Sequence, residues 1–129
     1  MSQANPIRIF VSHAWEEDDD YLRVFEYLES SRNFFYRNYS TPDRPPPADK
    51  EAMREDIRRQ IAPVECVVAL ASMYQKHHDI LEFQLLFAKS ANKPVILMRP
   101  FGANRPLQKI LTDLADEVLD WDERGLVDA

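Results

Sequence analysis

Few side chains in this sequence are placed to do chemistry. Glu82 is the only ionisable group within Ile80–Ala88, and a lone carboxylate on so apolar a stretch is the kind of group that sites use to stabilise charge or move protons. Ser12 and His13 stand just past an apolar run that ends at Val11, with Trp15 two residues further on. Arg37 and Asn38 open a proline-rich segment, Ser72 follows a second apolar run, and His77 and His78 directly precede Asp79. Each has a plainer alternative. Ser12 and His13 can cap backbone groups at a strand end, Arg37 and Asn38 can anchor a loop through its carbonyls, and Trp15 can serve as packing. Helical spacing also puts His78, Glu82 and Lys89 near one face, where they can form a solvated edge.

Several chemistries are excluded by what is missing. The only glycines are Gly102 and Gly125, so neither GxGxxG nor GxxxxGK[ST] can be written and no glycine-rich phosphate cradle exists. A phosphoacceptor receiver needs carboxylates at strand ends that here carry Ser12-His13 and Ala71-Ser72. His77 and His78 are adjacent rather than a helical turn apart, which leaves no four-ligand spacing for zinc. The single cysteine, Cys66, lies inside the apolar run Val64–Leu70; it precludes an intramolecular disulfide and is expected to be a small buried hydrophobe. Asp18–Asp20 is most simply negative charge at a helix N-terminus. A net charge of −6 offers nothing to a phosphate backbone or an anionic lipid, so neither nucleic acid nor membrane is an expected partner. Met1–Pro6 has no basic region followed by an apolar stretch, and no run reaches about 18 apolar residues. The expectation is a cytoplasmic protein.

The elements that must position these groups follow from periodicity. At 129 residues the chain is expected to form one domain around one core, residues 1–129, with Met1–Asn5 as a flexible N-terminus. Ile7–Val11 alternates as a strand. Tyr21, Val24, Phe25 and Leu28 mark one buried helical stripe after Asp18–Asp20. Phe34–Tyr36 is a short strand candidate, and Arg37–Asp49, with Pro42 and Pro45–Pro47, is a long stiff surface loop. Met53, Ile57 and Ile61 space a second helix, and Val64–Ala71, apolar but for Glu65, is a run suited to a central parallel strand. A third helix is expected over Asp79–Ser90 and a strand over Pro94–Met98. A fourth helix starts at Pro106, with Leu107, Ile110, Leu111 and Leu114 on one face, and a last strand covers Glu117–Trp121. Strands alternating with single helices imply right-handed βαβ units, hence an α/β fold with a five-stranded parallel sheet covered on both faces. In such a sheet the ligand crevice lies beyond the strand ends where strand order reverses, expected here between the first and third strands, near Ser12, His13, Trp15, Ser72 and Met73.

Arg8-Ile9-Phe10-Val11-Ser12-His13 followed by Trp15, then Phe35-Tyr36-Arg37-Asn38-Tyr39-Ser40 leading into the prolines, resembles the TIR-like family that includes the ThsB-type Thoeris anti-phage signalling proteins. Val67–Tyr74, a helix carrying Glu82, Lys93-Pro94-Val95-Ile96 and Pro100-Phe101-Gly102 continue the resemblance in order. The tryptophan-cysteine pair that often precedes the glutamate in TIR domains is replaced by His78-Asp79. The resemblance implies a flavodoxin-like three-layer sandwich with strand order 2-1-3-4-5. It implies cleavage of NAD, as substrate rather than cofactor, at the nicotinamide–ribose bond, giving ADP-ribose or a cyclic second messenger read by a nucleotide-sensing effector. Glu82 corresponds to the catalytic glutamate, with Phe10, Ser12, His13, Trp15, Arg37, Asn38, Ser72 and His78 around the substrate and Phe10 and Trp15 stacking on a flat ring. Homo-oligomerisation on activation, through Arg37–Asp49, is also implied. A catalytically silent adaptor and a nucleotide-binding module without turnover are the alternatives.

Overall fold

The computed structural model describes residues 6–15, 19–29, 35–42, 49–100, 107 and 109–119. Along the chain these form β1 (Ile7–Val11), α1 (Asp19–Glu29), β2 (Tyr36–Asn38), α2 (Lys50–Ile61), β3 (Cys66–Leu70), a single 3-10 turn (Ala71–Met73), α3 (Tyr74–Ser90), β4 (Val95–Met98), α4 (Lys109–Leu114) and β5 (Glu117–Leu119). The strands make one five-stranded sheet in the order β2-β1-β3-β4-β5, with every pairing parallel. Because the chain moves one way from β1 to β2 and the other way thereafter, right-handed crossovers put α1 on one face and α2, α3 and α4 on the other. The packing of α2 on α3 and of α3 on α4 agrees with that placement.

The central strands are covered on both faces. Phe10 and Val11 in β1, Val67, Ala69 and Leu70 in β3, and Val95, Leu97 and Met98 in β4 are all fully buried, so their apolar runs carry no alternation. The α1 stripe is seen as Tyr21, Val24 and Leu28 in the core, with Phe25 half-buried beside it. Asp49 caps α2, its Oδ1 accepting from the Ala52 N–H at 2.7 Å, and Ile57 and Ile61 seat the helix on the sheet.

Three expected boundaries moved, and one expected helical face is not shared. β2 lies over Tyr36–Asn38, in register with Ile7–Ile9. An edge strand is fixed by its backbone ladder, here Ile7 N–H to Phe35 O at 3.1 Å and Tyr39 N–H to Ile9 O at 2.8 Å, and not by aromatic content; Phe34 lies outside the described residues. α3 begins at Tyr74, five residues early, and runs through a non-helical His77 (φ −135°, ψ 42°). In α4 Leu111 is buried, whereas Ile110 is 37% exposed and turns away from the expected shared face. β3 ends at Leu70 because Ala71–Met73 tightens into the 3-10 turn. Met1–Asn5, Asp18, Pro45–Pro47, Phe101-Gly102, Pro106 and Trp121 lie outside the described residues. Among the described residues no helix is long and apolar enough to cross a membrane.

Candidate active site

A cleft of about 540 Å3 opens where α2 and the first turns of α3 meet the chain leaving β1. Its size is in the range of pockets that hold small organic ligands. From α3 it takes His78, Glu82 and Leu86 at successive turns, with Asp79 and Phe83 alongside. The opposite face of the same helix, Leu81, Gln84, Leu85 and Ala88, is packed into the core. From α2 come Lys50, Met53, Arg54 and Ile57, and from the chain after β1 comes Trp15.

Trp15 is held in place by a buried polar network. Its φ of 57° lies in the left-handed region, which costs a bulky residue about 1–3 kcal/mol and persists only where its surroundings enforce it. Two bonds do so. The Trp15 N–H donates to His13 Nδ1 at 3.0 Å, and the indole Nε1–H donates to Asp56 Oδ2 at 2.9 Å. Since Nδ1 accepts, the ring proton sits on Nε2, which donates to Gln60 Oε1 at 2.8 Å. Gln60 Oε1 also accepts from the Thr41 N–H at 3.0 Å, and Gln60 Nε2 donates to Asp56 Oδ2 at 2.9 Å. Arg59 closes the set on Asp56 Oδ1. From α3, Gln84 Nε2 donates to the His13 carbonyl at 2.7 Å, while its Oε1 is buried with no partner among the described residues. Asp56, Gln60 and Gln84 were not singled out from sequence. Their one signal is position: polar side chains beside Ile57, Ile61, Leu81 and Leu85 on inward-facing stripes.

The structure therefore brings together three of the nine residues expected at the site, Trp15, His78 and Glu82, and separates six. Phe10 is fully buried and offers no ring face to a ligand. Ser12, also fully buried, extends the β1–β3 ladder: its N–H donates to Val68 O at 2.9 Å and its Oγ accepts from the Leu70 N–H at 2.8 Å. His13 is buried and committed to Trp15 and Gln60. Asn38 Nδ2 donates to the Tyr21 hydroxyl at 3.1 Å, and its Oδ1 accepts from the Ser40 N–H at 3.0 Å. That is loop anchoring. Arg37 is exposed on the edge strand, paired in register with Arg8. The 3-10 turn points Met73 inward and leaves Ser72 exposed. At the end of β1, where the crevice beside β3 was expected, Ser12 and His13 are buried, and the cleft lies against α2 and α3. Lys89, expected on the edge with Glu82, pairs instead with Asp116 at 2.8 Å.

Titration is perturbed elsewhere in the fold. Burial, helped by the Asp116 and Glu117 charges, pushes the Cys66 thiol up to about 11. Burial and then the bond to Glu29 push Tyr36 up to about 12. Asp116 is held below its ordinary value by hydrogen bonds from Lys89 and from the Val95 N–H at 2.7 Å. Among the described residues no three His, Cys, Asp or Glu side chains group so as to hold a metal ion.

The family model described as the Thoeris protein ThsB TIR-like domain matches residues 10–105, about three quarters of the chain, and the chain belongs to that family. The match runs from the end of β1 through β4 and contains every cleft residue named above. A comparison with curated proteins finds no match.

Proposed function

We propose that this TIR-like domain cleaves NAD at the nicotinamide–ribose bond, with Glu82 as the catalytic carboxylate. The observation that carries the reading is the position of Glu82: half-buried on the cleft face of α3, in a cleft whose wall includes the pinned indole of Trp15. The chemistry needs few groups. Nicotinamide leaves as a neutral base from a cationic pyridinium, taking the C1′–N bonding pair, so no general acid is required, unlike at an ordinary glycoside. Positive charge develops on the ribose ring as the bond breaks. A carboxylate that accepts hydrogen bonds from the ribose hydroxyls and lies near that charge stabilises it most where water is scarce. Trp15 lines the cleft at only 7% exposure, so it supplies a fixed apolar wall and not an open face for a ring to stack on. Water, or a hydroxyl of the same ADP-ribosyl unit, then adds to C1′ and loses its proton, giving a linear or a cyclic product.

In this reading the product acts on a nucleotide-sensing effector, and protomers associate on activation. Chromatography of nicotinamide from purified protein and NAD, with and without lysate from phage-infected cells, tests it. Release under either condition supports the proposal, and absence under both overturns it. One observation favours a second reading, an adaptor without turnover. Phe10, Ser12 and His13 are closed into the core, so the strand-end side contributes fewer ligand contacts than the family resemblance implies. An adaptor keeps its biological activity in Glu82→Gln; an enzyme loses it.

A further inference from the structure

We infer that Lys50, Arg54 and Lys76 form a diphosphate-binding wall of this cleft. The chain carries 22 acidic and 16 basic side chains, so a lysine or arginine would ordinarily find a carboxylate partner nearby. On α2 the carboxylates are already committed. Glu51 and Glu55 both pair with Arg58, at 3.6 and 3.2 Å. Asp56 is taken by Arg59, Trp15 and Gln60, and Asp49 by the helix N-terminus. Across the cleft, Asp79 pairs with His78 at 3.0 Å. Lys50, Arg54 and Lys76 are left with no ion pair among the described residues, and all three line the same cleft.

Two further features fit a phosphate ligand. Lys50 and Arg54 are one helical turn apart on α2, so their side chains emerge side by side. The Arg54 guanidinium lies over the Phe83 ring, 5.6 Å from its centroid, which holds the planar fork against the cleft wall and lowers what is lost when it binds two oxygens at once. Arg58 sits over the same ring at 5.5 Å but is neutralised by its glutamates. Only Arg54 therefore carries free positive charge to that surface. Three unpaired cations against the one unpaired carboxylate of Glu82 leave the cleft net positive, which suits a ligand with more than one negative charge in a short span, and the apolar remainder of the cleft, Met53, Ile57 and Leu86, suits the flat base of a nucleoside diphosphate. The choice of a nucleoside diphosphate rests on the NAD reading; the cationic wall itself does not.

Calorimetric titration of the full chain with inorganic pyrophosphate and with ADP, at low and raised ionic strength, tests this apart from catalysis. Saturable binding of both is expected, weakening as salt rises. Arg54→Gln is expected to weaken each by about tenfold or more, the loss of one charge-assisted bond, while Lys109→Gln on α4 changes neither. In turnover, Arg54→Gln is expected to raise the KM for NAD with kcat little changed. If pyrophosphate and ADP bind through Arg54 but NAD is never cleaved, the wall stands and the enzymatic reading falls. If NAD is cleaved with the same KM by wild type and Arg54→Gln, the wall is overturned and the enzyme stands. Failure of pyrophosphate to bind also overturns the wall.

Discussion

Replacing Asp56 with alanine removes the one acceptor that holds the Trp15 indole and the Gln60 amide together. The carboxylate side chain is only 7% exposed, and its Oδ2 accepts from Trp15 Nε1 and Gln60 Nε2, each at 2.9 Å. In the variant both donors stay buried without that partner, each at a cost of about 1–3 kcal/mol. Alanine returns about 0.5 kcal/mol through helix propensity. The Arg59 contact adds little, because that guanidinium is 64% exposed and exposed pairs are worth about 1 kcal/mol or less. The expected loss is therefore about 1.5–5.5 kcal/mol, a large share of a small domain's stability. Asp56→Asn keeps an acceptor oxygen and should lose about half as much. Urea unfolding followed by far-ultraviolet circular dichroism reads this directly, as a lower midpoint with an unchanged slope. A loss below about 0.5 kcal/mol for Asp56→Ala, within the range of ordinary surface substitutions, would refute the claim that this network holds the wall of the cleft.

Three further outcomes follow from the same structure. With its thiol pushed from 9.0 to about 11, Cys66 should be alkylated at neutral pH about a hundredfold more slowly than in the urea-unfolded chain, since the thiolate is the nucleophile; equal rates would show that the site is open. The Asp116 carboxyl is depressed on folding, so its contribution to stability is fully present above its ordinary value of 3.8 and is lost as pH falls through the folded value. Asp116→Asn should flatten the acid limb of the stability curve, and by little, because the side chain is 45% exposed; an unchanged limb would contradict it. If protomers associate through Arg37–Asp49, specific activity should rise with protein concentration, and Pro45–Pro47→Gly should depress it with the thermal transition kept within a few degrees. Activity that stays flat over about a hundredfold dilution would return the segment to a surface connection.

Most of the sheet was legible because its central strands are apolar runs: Cys66–Ala71, following the charged Glu65, contains β3 and Pro94–Met98 contains β4. Edge elements were harder. β2 and β5 are three residues each and are set by backbone pairing with one neighbour, which leaves little mark on side-chain type. At the cleft, Glu82 stood out as a charge among apolar residues, and the same contrast hid the rest. Asp56, Gln60 and Gln84 look like solvent-facing residues of amphipathic helices until tertiary contacts show them buried against His13 and Trp15. Ser12 and His13 mislead in the other direction. Polar residues at a strand end look available to a ligand, yet each is used up by bonds to β3 or α2 that no local pattern announces.

The central claim is that Glu82 in this cleft drives nicotinamide release, and the most direct test is to follow that release from wild type and Glu82→Gln side by side. Assays should use several protein concentrations and activated lysate, with thermal transitions recorded in parallel. Glu82 is half-buried and has no bonded partner among the described residues, so the glutamine variant should fold with an unchanged transition. It should lose about a hundredfold or more in turnover, the scale seen when a group stabilising transition-state charge is removed. A wild-type protein that releases no nicotinamide under any of these conditions, or a Glu82→Gln variant as active as wild type, would contradict the account.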